Sequence, residues 1–527
     1  MTGSAKSGAS RRTVLAGGAA VAGLTVASPG FAAAASPPAD AELFCAPLVP
    51  FRTSLSVSPF TEAVVHTTAL TDGAFTARTV PQVQQLFMRH GATEVYARIA
   101  TRKVAPQGAV AEHGWAKGLE RARLARDLGL PFNPELGLWA EYGDGGNYQQ
   151  PPDFTDYPEI HLPGPWTSLT LEQMLPPIRQ YAAAVAKQIL ATGAHVPIWD
   201  IGNEVEPGIA GVTVHPMTGG ENYQAPDNVD PAIGKMSTVQ LLKMSEAERV
   251  AWCKTHLWPS TGRILAAAAQ GIRSVAPSAK VATHISPIGA KTSLGHLAFV
   301  ETCKQAGFLP DQFGMSYYPG GATTFGGPAD AYAWLKETTQ ALKTRYGRPS
   351  FIAEGGVASG KMPPPFTFNA PVESYPLDEA GQYAFNRDMI AWGAKSGCLA
   401  GYRPWAPDLC IGADWAPMSW FDQHGATARA KPVMRAFEDA LPSLYVAVAQ
   451  RGDGPEISLR AHGGQPGPIS VELKDDDRSL AHGAVAKVGA DWSRVPLAGR
   501  TRLPAGVHTL VVRRGGRTLL ERRFATA

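Results

Sequence analysis

Two textures of apolar and polar positions run along the chain. From about residue 50 to 440, short apolar runs of strand length alternate with longer stretches whose apolar residues recur every three or four positions. That is the rhythm of βαβ units around a parallel sheet. The pattern predicts strands at residues 52–58, 94–100, 132–140, 196–202, 280–285, 312–317, 350–353 and 399–405. Helices are expected at 80–90, 114–128, 171–192, 262–275, 294–306, 329–346, 379–395 and 427–440. Eight of each make an α/β fold of the (β/α)8 TIM-barrel type, longer than the usual ~250 residues because of its loops. The largest insertion, from Val205 to about Ser245, is rich in Gly, Pro and Asn with little periodicity, and reads as a loop on the barrel's C-terminal face. After Leu441 short β-rich runs at 444–449, 456–461, 470–474, 484–487 and 508–513 alternate with Gly- and Asp-containing turns, as in a small all-β, sandwich-like domain. With only Trp492 among its few aromatic residues, this domain reads as a packing partner for the barrel rather than a sugar-binding module.

The first residues follow neither texture. Ser10-Arg11-Arg12-Thr13-Val14-Leu15 precedes an apolar, Gly- and Ala-rich run from Ala16 to Val26, and Ala32 to Ala35 offer a small-residue cleavage site. This reads as a twin-arginine signal peptide over 1–36, too short and too glycine-rich for the ~20 apolar residues of a membrane span. The expected divisions are therefore 1–36, 37–440 and 441–527, with a product secreted or periplasmic and no stable membrane association once the signal is removed. The signal also accounts for the charge. Of 48 Lys and Arg, three (Lys6, Arg11, Arg12) precede the first acidic residue, Asp40, which leaves 45 basic against 45 acidic residues. A balanced body gives no electrostatic case for nucleic acid. The 12 Trp, 14 Tyr and 19 Phe exclude a mostly disordered chain. Five scattered cysteines, Cys45, Cys253, Cys303, Cys398 and Cys410, form no disulfide framework and read as buried thiols, with room for one bridge.

In a barrel, reacting groups come from the C-terminal ends of strands. Asp200-Ile201-Gly202-Asn203-Glu204 ends the fourth strand and Ile352-Ala353-Glu354-Gly355-Gly356 the seventh, so two carboxylates face each other across the mouth. Glycosidic cleavage needs such a pair, one to protonate the leaving oxygen and one to attack or to activate water. The dipeptide Asn-Glu alone carries little information; its position carries the argument. Other strand ends offer Arg98 on the second, Trp139 and Glu141 on the third, His284 on the fifth, Tyr318 on the sixth and Trp405 on the eighth. A phenol can orient a carboxylate, and a Trp face can hold a sugar ring. For His284 a structural, hydrogen-bonded role stands evenly beside a site role.

Asn203-Glu204, Tyr318, Glu354 and Trp405 at these strand ends resemble the pattern of clan A glycoside hydrolases. Within it, Ile201-Gly202-Asn203-Glu204-Val205-Glu206-Pro207-Gly208, Phe313-Gly314-Met315-Ser316-Tyr317-Tyr318-Pro319 and Ala353-Glu354-Gly355 are similar to glycoside hydrolase family 53, the endo-β-1,4-galactanases. The resemblance implies a retaining glycoside hydrolase acting on β-linked poly- or oligosaccharide by double displacement. Glu204 would be the acid/base, Glu354 the nucleophile, Asn203 a partner of the sugar 2-hydroxyl, and Tyr318 and Arg98 contacts of the nucleophile. No metal or organic cofactor is implied. The family's His-Tyr-Ser-Asp run on strand three is replaced by Leu138-Trp139-Ala140-Glu141-Tyr142-Gly143-Asp144, so a subsite contact differs. That departure motivates one alternative, a non-catalytic carbohydrate-binding protein on a decayed barrel. A second, a metal-dependent hydrolase using His284, lacks any His-x-His or His-x-x-x-His spacing.

Overall fold

The computed structural model describes residues 41–526 except 104–112, 287–288, 322–326, 365–367, 413, 452–453, 477 and 500–502. The expected signal at 1–36 lies outside the described residues. Eight parallel strands form one sheet: β1 (Arg52–Thr53), β2 (Val95–Ile99), β3 (Phe132–Leu136), β4 (Ile198–Ile201), β5 (Lys280–Ile285), β6 (Gln312–Tyr317), β7 (Ser350–Gly355) and β8 (Leu399–Pro404). The order β1-β8-β7-β6-β5-β4-β3-β2 winds the strands in sequence around a barrel. Its two ends meet where Thr93 N–H donates to Thr53 O at 2.9 Å and Tyr96 N–H to Ser56 Oγ at 2.9 Å. Helices follow the strands: α1 (Val80–Arg89), α2 (Trp115–Leu128), α3 (Leu171–Ala191), α4 (Trp258–Val275), α5 (Leu294–Gln305), α6 (Ala331–Tyr346), α7 (Glu379–Ser396) and the short α8 (Ala436–Ala440).

Local chemistry explains these boundaries. Thr170 and Gln173 close a capping box at the start of α3, Asp330 and Asp378 cap α6 and α7, and left-handed glycines end α2, α6 and α7 at Gly129, Gly347 and Gly397. Three expectations are corrected. The first strand is only two residues of ladder, because beyond Ser54 the backbone turns to side chains: Val57 N–H donates to Gln84 Oε1 and Ser58 N–H to Thr61 Oγ1. The third ends at Leu136 rather than Ala140, since Leu138 turns the chain with φ 56°. The stretch expected to be one helix over 427–440 is a hairpin, Phe421–His424 with Thr427–Ala430, followed by a 3-10 turn and α8. The insertion after β4 is also more ordered than its composition suggests: a tight hairpin (Gly208–Ile209 with Val212–Thr213) and helices Pro231–Gly234, Thr238–Lys243 and Glu246–His256.

The β-rich tail forms two antiparallel sheets. Ser443–Arg451 (β9) and Gly454–His462 (β10) belong to one, and Ile469–Asp475 (β11), Arg478–Val485 (β12), Gly506–Arg514 (β13) and Arg517–Thr526 (β14) to the other. Charges at Arg517, Glu521, Arg522 and Arg523 hide β14 from apolar patterning. The strand Glu42–Pro47 completes the first sheet by pairing with β9, so a segment that the sequence groups with the barrel adds to the tail instead. The tail docks where chain enters the barrel strands. Arg522 donates to Gly129 O at 3.0 Å and Ala92 O at 3.4 Å, just ahead of β3 and β2. Glu438 on α8 accepts from Tyr445 of β9 and pairs with His90 at the end of α1. The tail thus sits beneath the barrel, opposite the strand ends that carry the candidate acids. All five cysteines are free and buried, and no helix among the described residues is long and apolar enough to cross a membrane.

Candidate active site

The mouth of the barrel is organised around one guanidinium. Arg98 near the end of β2 is fully buried and its N–H groups reach three strands. Nε donates to Glu135 Oε1 on β3 at 2.6 Å, and Nη2 to Asn203 Oδ1 after β4 at 2.8 Å and Glu354 Oε2 on β7 at 2.6 Å. Its flat face lies 4.5 Å from the Trp405 ring centroid. Burying that charge is tolerable because two carboxylates and an amide oxygen replace water. Glu354 accepts from Arg98 on one oxygen and from Tyr318 Oη on the other at 2.8 Å, so donors on both sides fix its plane.

Glu204 is held differently. Gly202 at φ 76° and Glu204 at φ 47° turn the chain sharply off β4, a conformation a non-glycine residue adopts at a cost of about 1 kcal/mol or more. The buried Gln149 amide clamps the turn by donating to Asn203 O at 2.8 Å, and Val205 N–H bonds His284 O at 3.1 Å. Gly145 N–H donates to the Glu204 carboxyl, 2.7 Å from Oε2. Burial pushes the Glu204 carboxyl well above the usual carboxylate range, and the charges of Glu354, Asp144 and Glu206 push it further. One acid poised to keep its proton beside another gripped by an arginine and a phenol is the arrangement that acid-assisted displacement at a sugar carbon needs.

The structure gathers Arg98, Asn203, Glu204, Tyr318, Glu354 and the half-buried Trp405 into one cluster. It does not bring the other three candidates there in the expected manner. Trp139 is fully buried and donates its indole N–H to Gly143 O at 3.0 Å, so it anchors the loop after β3 and offers no platform. Glu141 pairs with Arg102 at 3.2 Å, away from Arg98. His284 is buried with no hydrogen bond to either ring nitrogen, Nδ1 lying 3.7 Å from Glu135 Oε2; burial pushes it down to about 3, with nearby Glu354 opposing and Arg98 adding to the effect, so the ring stays neutral. Four residues escaped the sequence reading: Glu135, Tyr142, Gly145 and Gln149. Tyr142 accepts from Arg98 at 3.5 Å. For Glu135 a signal existed, since Asn133 and Glu135 alternate with Phe132, Pro134 and Leu136 on a strand buried on both faces. Among the described residues no group of three His, Cys, Asp or Glu side chains is placed to hold a metal ion.

Comparison with known proteins bears on this geometry. A family model described as glycosyl hydrolase family 53 matches residues 152–444, beginning after β3 and so leaving out the departing loop. No curated protein matches the chain. Among solved structures, the family 53 catalytic domain of Ignisphaera aggregans superposes with TM-score 0.53 at 15% identity, covering 75% of this chain and 97% of that one. A chain from the structures of two fungal β-1,4-galactanases gives TM-score 0.51 at 16% identity, covering 73% of this chain and 98% of that one. These likenesses confirm the barrel, and the family match spans more than half of the sequence. The chain belongs to glycosyl hydrolase family 53, within the clan A glycoside hydrolases.

Proposed function

We propose that the protein is an exported, retaining β-glycanase whose first substrate to test is a β-1,4-galactan. The observation that carries this reading is the contrast between the two acids: Glu354 gripped by Arg98 and Tyr318, Glu204 buried beside three carboxylates with no cation paired to it among the described residues. A Glu354 oxygen attacks the anomeric carbon as the bond to the leaving oxygen breaks, and the proton of Glu204 goes to that oxygen. The Glu204 carboxylate then takes a proton from water, whose oxygen displaces Glu354 from the same carbon and restores both acids. Asn203 keeps one amide hydrogen for the sugar 2-hydroxyl after donating to Gly143 O at 2.8 Å. The likeness to fungal β-1,4-galactanases motivates galactan; the altered loop after β3 makes the sugar preference the point to measure.

Export is part of the same proposal. The twin-arginine motif supports it, and five free buried thiols suit a protein that folds before crossing the membrane through the twin-arginine machinery. The test is a panel of plant and microbial polysaccharides, with Glu354→Ala and Glu204→Ala beside the unaltered enzyme. Loss of reducing-sugar release from galactan in both variants, with NMR showing products of retained anomeric configuration, is the expected outcome. Full activity in either variant removes the assignment, and inverted products remove the two-step mechanism.

A further inference from the structure

The turn after β4 carries a third acid that the reaction does not use. Glu206 stands two residues beyond Glu204 and is held from the end of β5: Ser286 N–H donates to its Oε2 at 2.9 Å and Ser286 Oγ to its Oε1. Its backbone carbonyl accepts the Trp258 indole N–H at 3.1 Å, so main chain and side chain are both fixed. Gly145 is wedged between the two acids. A Cβ there would stand 3.0 Å from Glu204 Oε2, 2.9 Å from Glu206 Oε1 and 2.9 Å from Ser286 Oγ. The same Gly145 provides the donor to Glu204.

Behind Glu206 lies a cavity of about 60 Å³ lined mainly by apolar groups, among them Leu241, Val250 and Trp258. The ionisable groups around Glu206 offer it no counter-charge. Asp144, on the loop after β3, is itself acidic. Arg249, on the helix Glu246–His256, donates to Gly289 O instead. His296 of α5 is kept neutral by burial, pushed down to about 4, and burial pushes the Cys253 thiol up to about 12. Among the described residues no cation forms an ion pair with Glu206, and burial raises its carboxyl to about 7 against the opposing Ser286 bonds.

We propose that Glu206 is a positioning residue for proton donation: Ser286 fixes its carboxyl against Gly145, the backbone donor to Glu204, and when ionised its negative charge retains the proton on Glu204. The proposal rests on the reading of Glu204 as acid/base. Two carboxylates this close resist ionising together and titrate as a pair. The experiment is carbon-13 NMR titration of enzyme labelled at Glu carboxyls, with Glu204→Gln assigning the Glu204 resonance. In Glu206→Gln the Glu204 midpoint falls by about one pH unit. The basic limb of kcat/KM on β-1,4-galactan moves the same way, with KM unchanged. Ser286→Ala, which weakens the bonds favouring ionised Glu206, moves the midpoint in the same direction by less, and it decides the matter if Glu206→Gln lacks a cooperative melt. An unmoved midpoint overturns the proposal, even where activity falls equally at every pH. Failure of the underlying reading looks different: Glu204→Gln would keep full glycanase activity whatever the midpoints.

Discussion

Glu204 sits where folding alone would not put an acid: buried, in the left-handed region, beside three other carboxylates. Its raised carboxyl means that the folded state binds the proton more tightly than the unfolded chain. The associated stability is complete below the ordinary carboxylate range and is lost as pH rises toward neutrality. Glu204→Gln is therefore expected to abolish glycan cleavage while raising Tm at pH 7, with the gain vanishing near pH 4; equal melting curves at pH 7 would contradict it. Tyr318→Phe removes one 2.8 Å hydrogen bond to Glu354 from a half-buried side chain. It should lower kcat/KM by roughly 10- to 100-fold and stability by less than about 1 kcal/mol, read by steady-state kinetics and urea unfolding. Arg98→Lys is a harsher change, because a point ammonium cannot reach Glu135, Asn203 and Glu354 together. A stability loss of about 3 kcal/mol, with activity lost at every pH, is expected from the carboxylates left buried without a partner.

At the scale of elements, most of the eight strands were legible as apolar runs bounded by turn residues, and both acids were legible because they end such runs. Loop geometry was not. The run Leu136-Gly137-Leu138-Trp139-Ala140 has strand composition throughout, yet the backbone leaves the sheet after Gly137, and that turn buries Trp139 against Tyr142 and sends Glu141 to Arg102. Arg98, Asn203, Tyr318 and Trp405 stand on short strand ends where composition and geometry agree, so the sequence located them. Glu135 escaped because a charge inside a barrel makes sense only once Arg98 is seen opposite it. Gly145 escaped because its meaning lies in what surrounds it. Gly145→Ala tests how tightly the loop after β3 is set against the turn after β4: displacement of the Glu204 carboxyl should cost about 100-fold in kcat, measured on galactan beside a thermal melt.

Across the whole molecule, the tail is tied to the barrel by a titratable knot. Burial alone would depress His90, but Glu438 and Asp72 outweigh it and raise the imidazole to about 9. The stability this contributes is complete below the free histidine value of about 6.5 and disappears as pH climbs through about 9. Thermal melting between about pH 7 and 10 should show Tm falling on the alkaline side, and His90→Gln should flatten that fall; an unchanged slope would rule the knot out. The pairing of Glu42–Pro47 with β9 has another consequence, in time rather than space. A chain is made from its N-terminus, so the first strand waits for its partner while some four hundred residues of barrel are synthesised between them. Until β9 is made its backbone edge stays open, so this sheet can close only after the barrel's own residues have been synthesised.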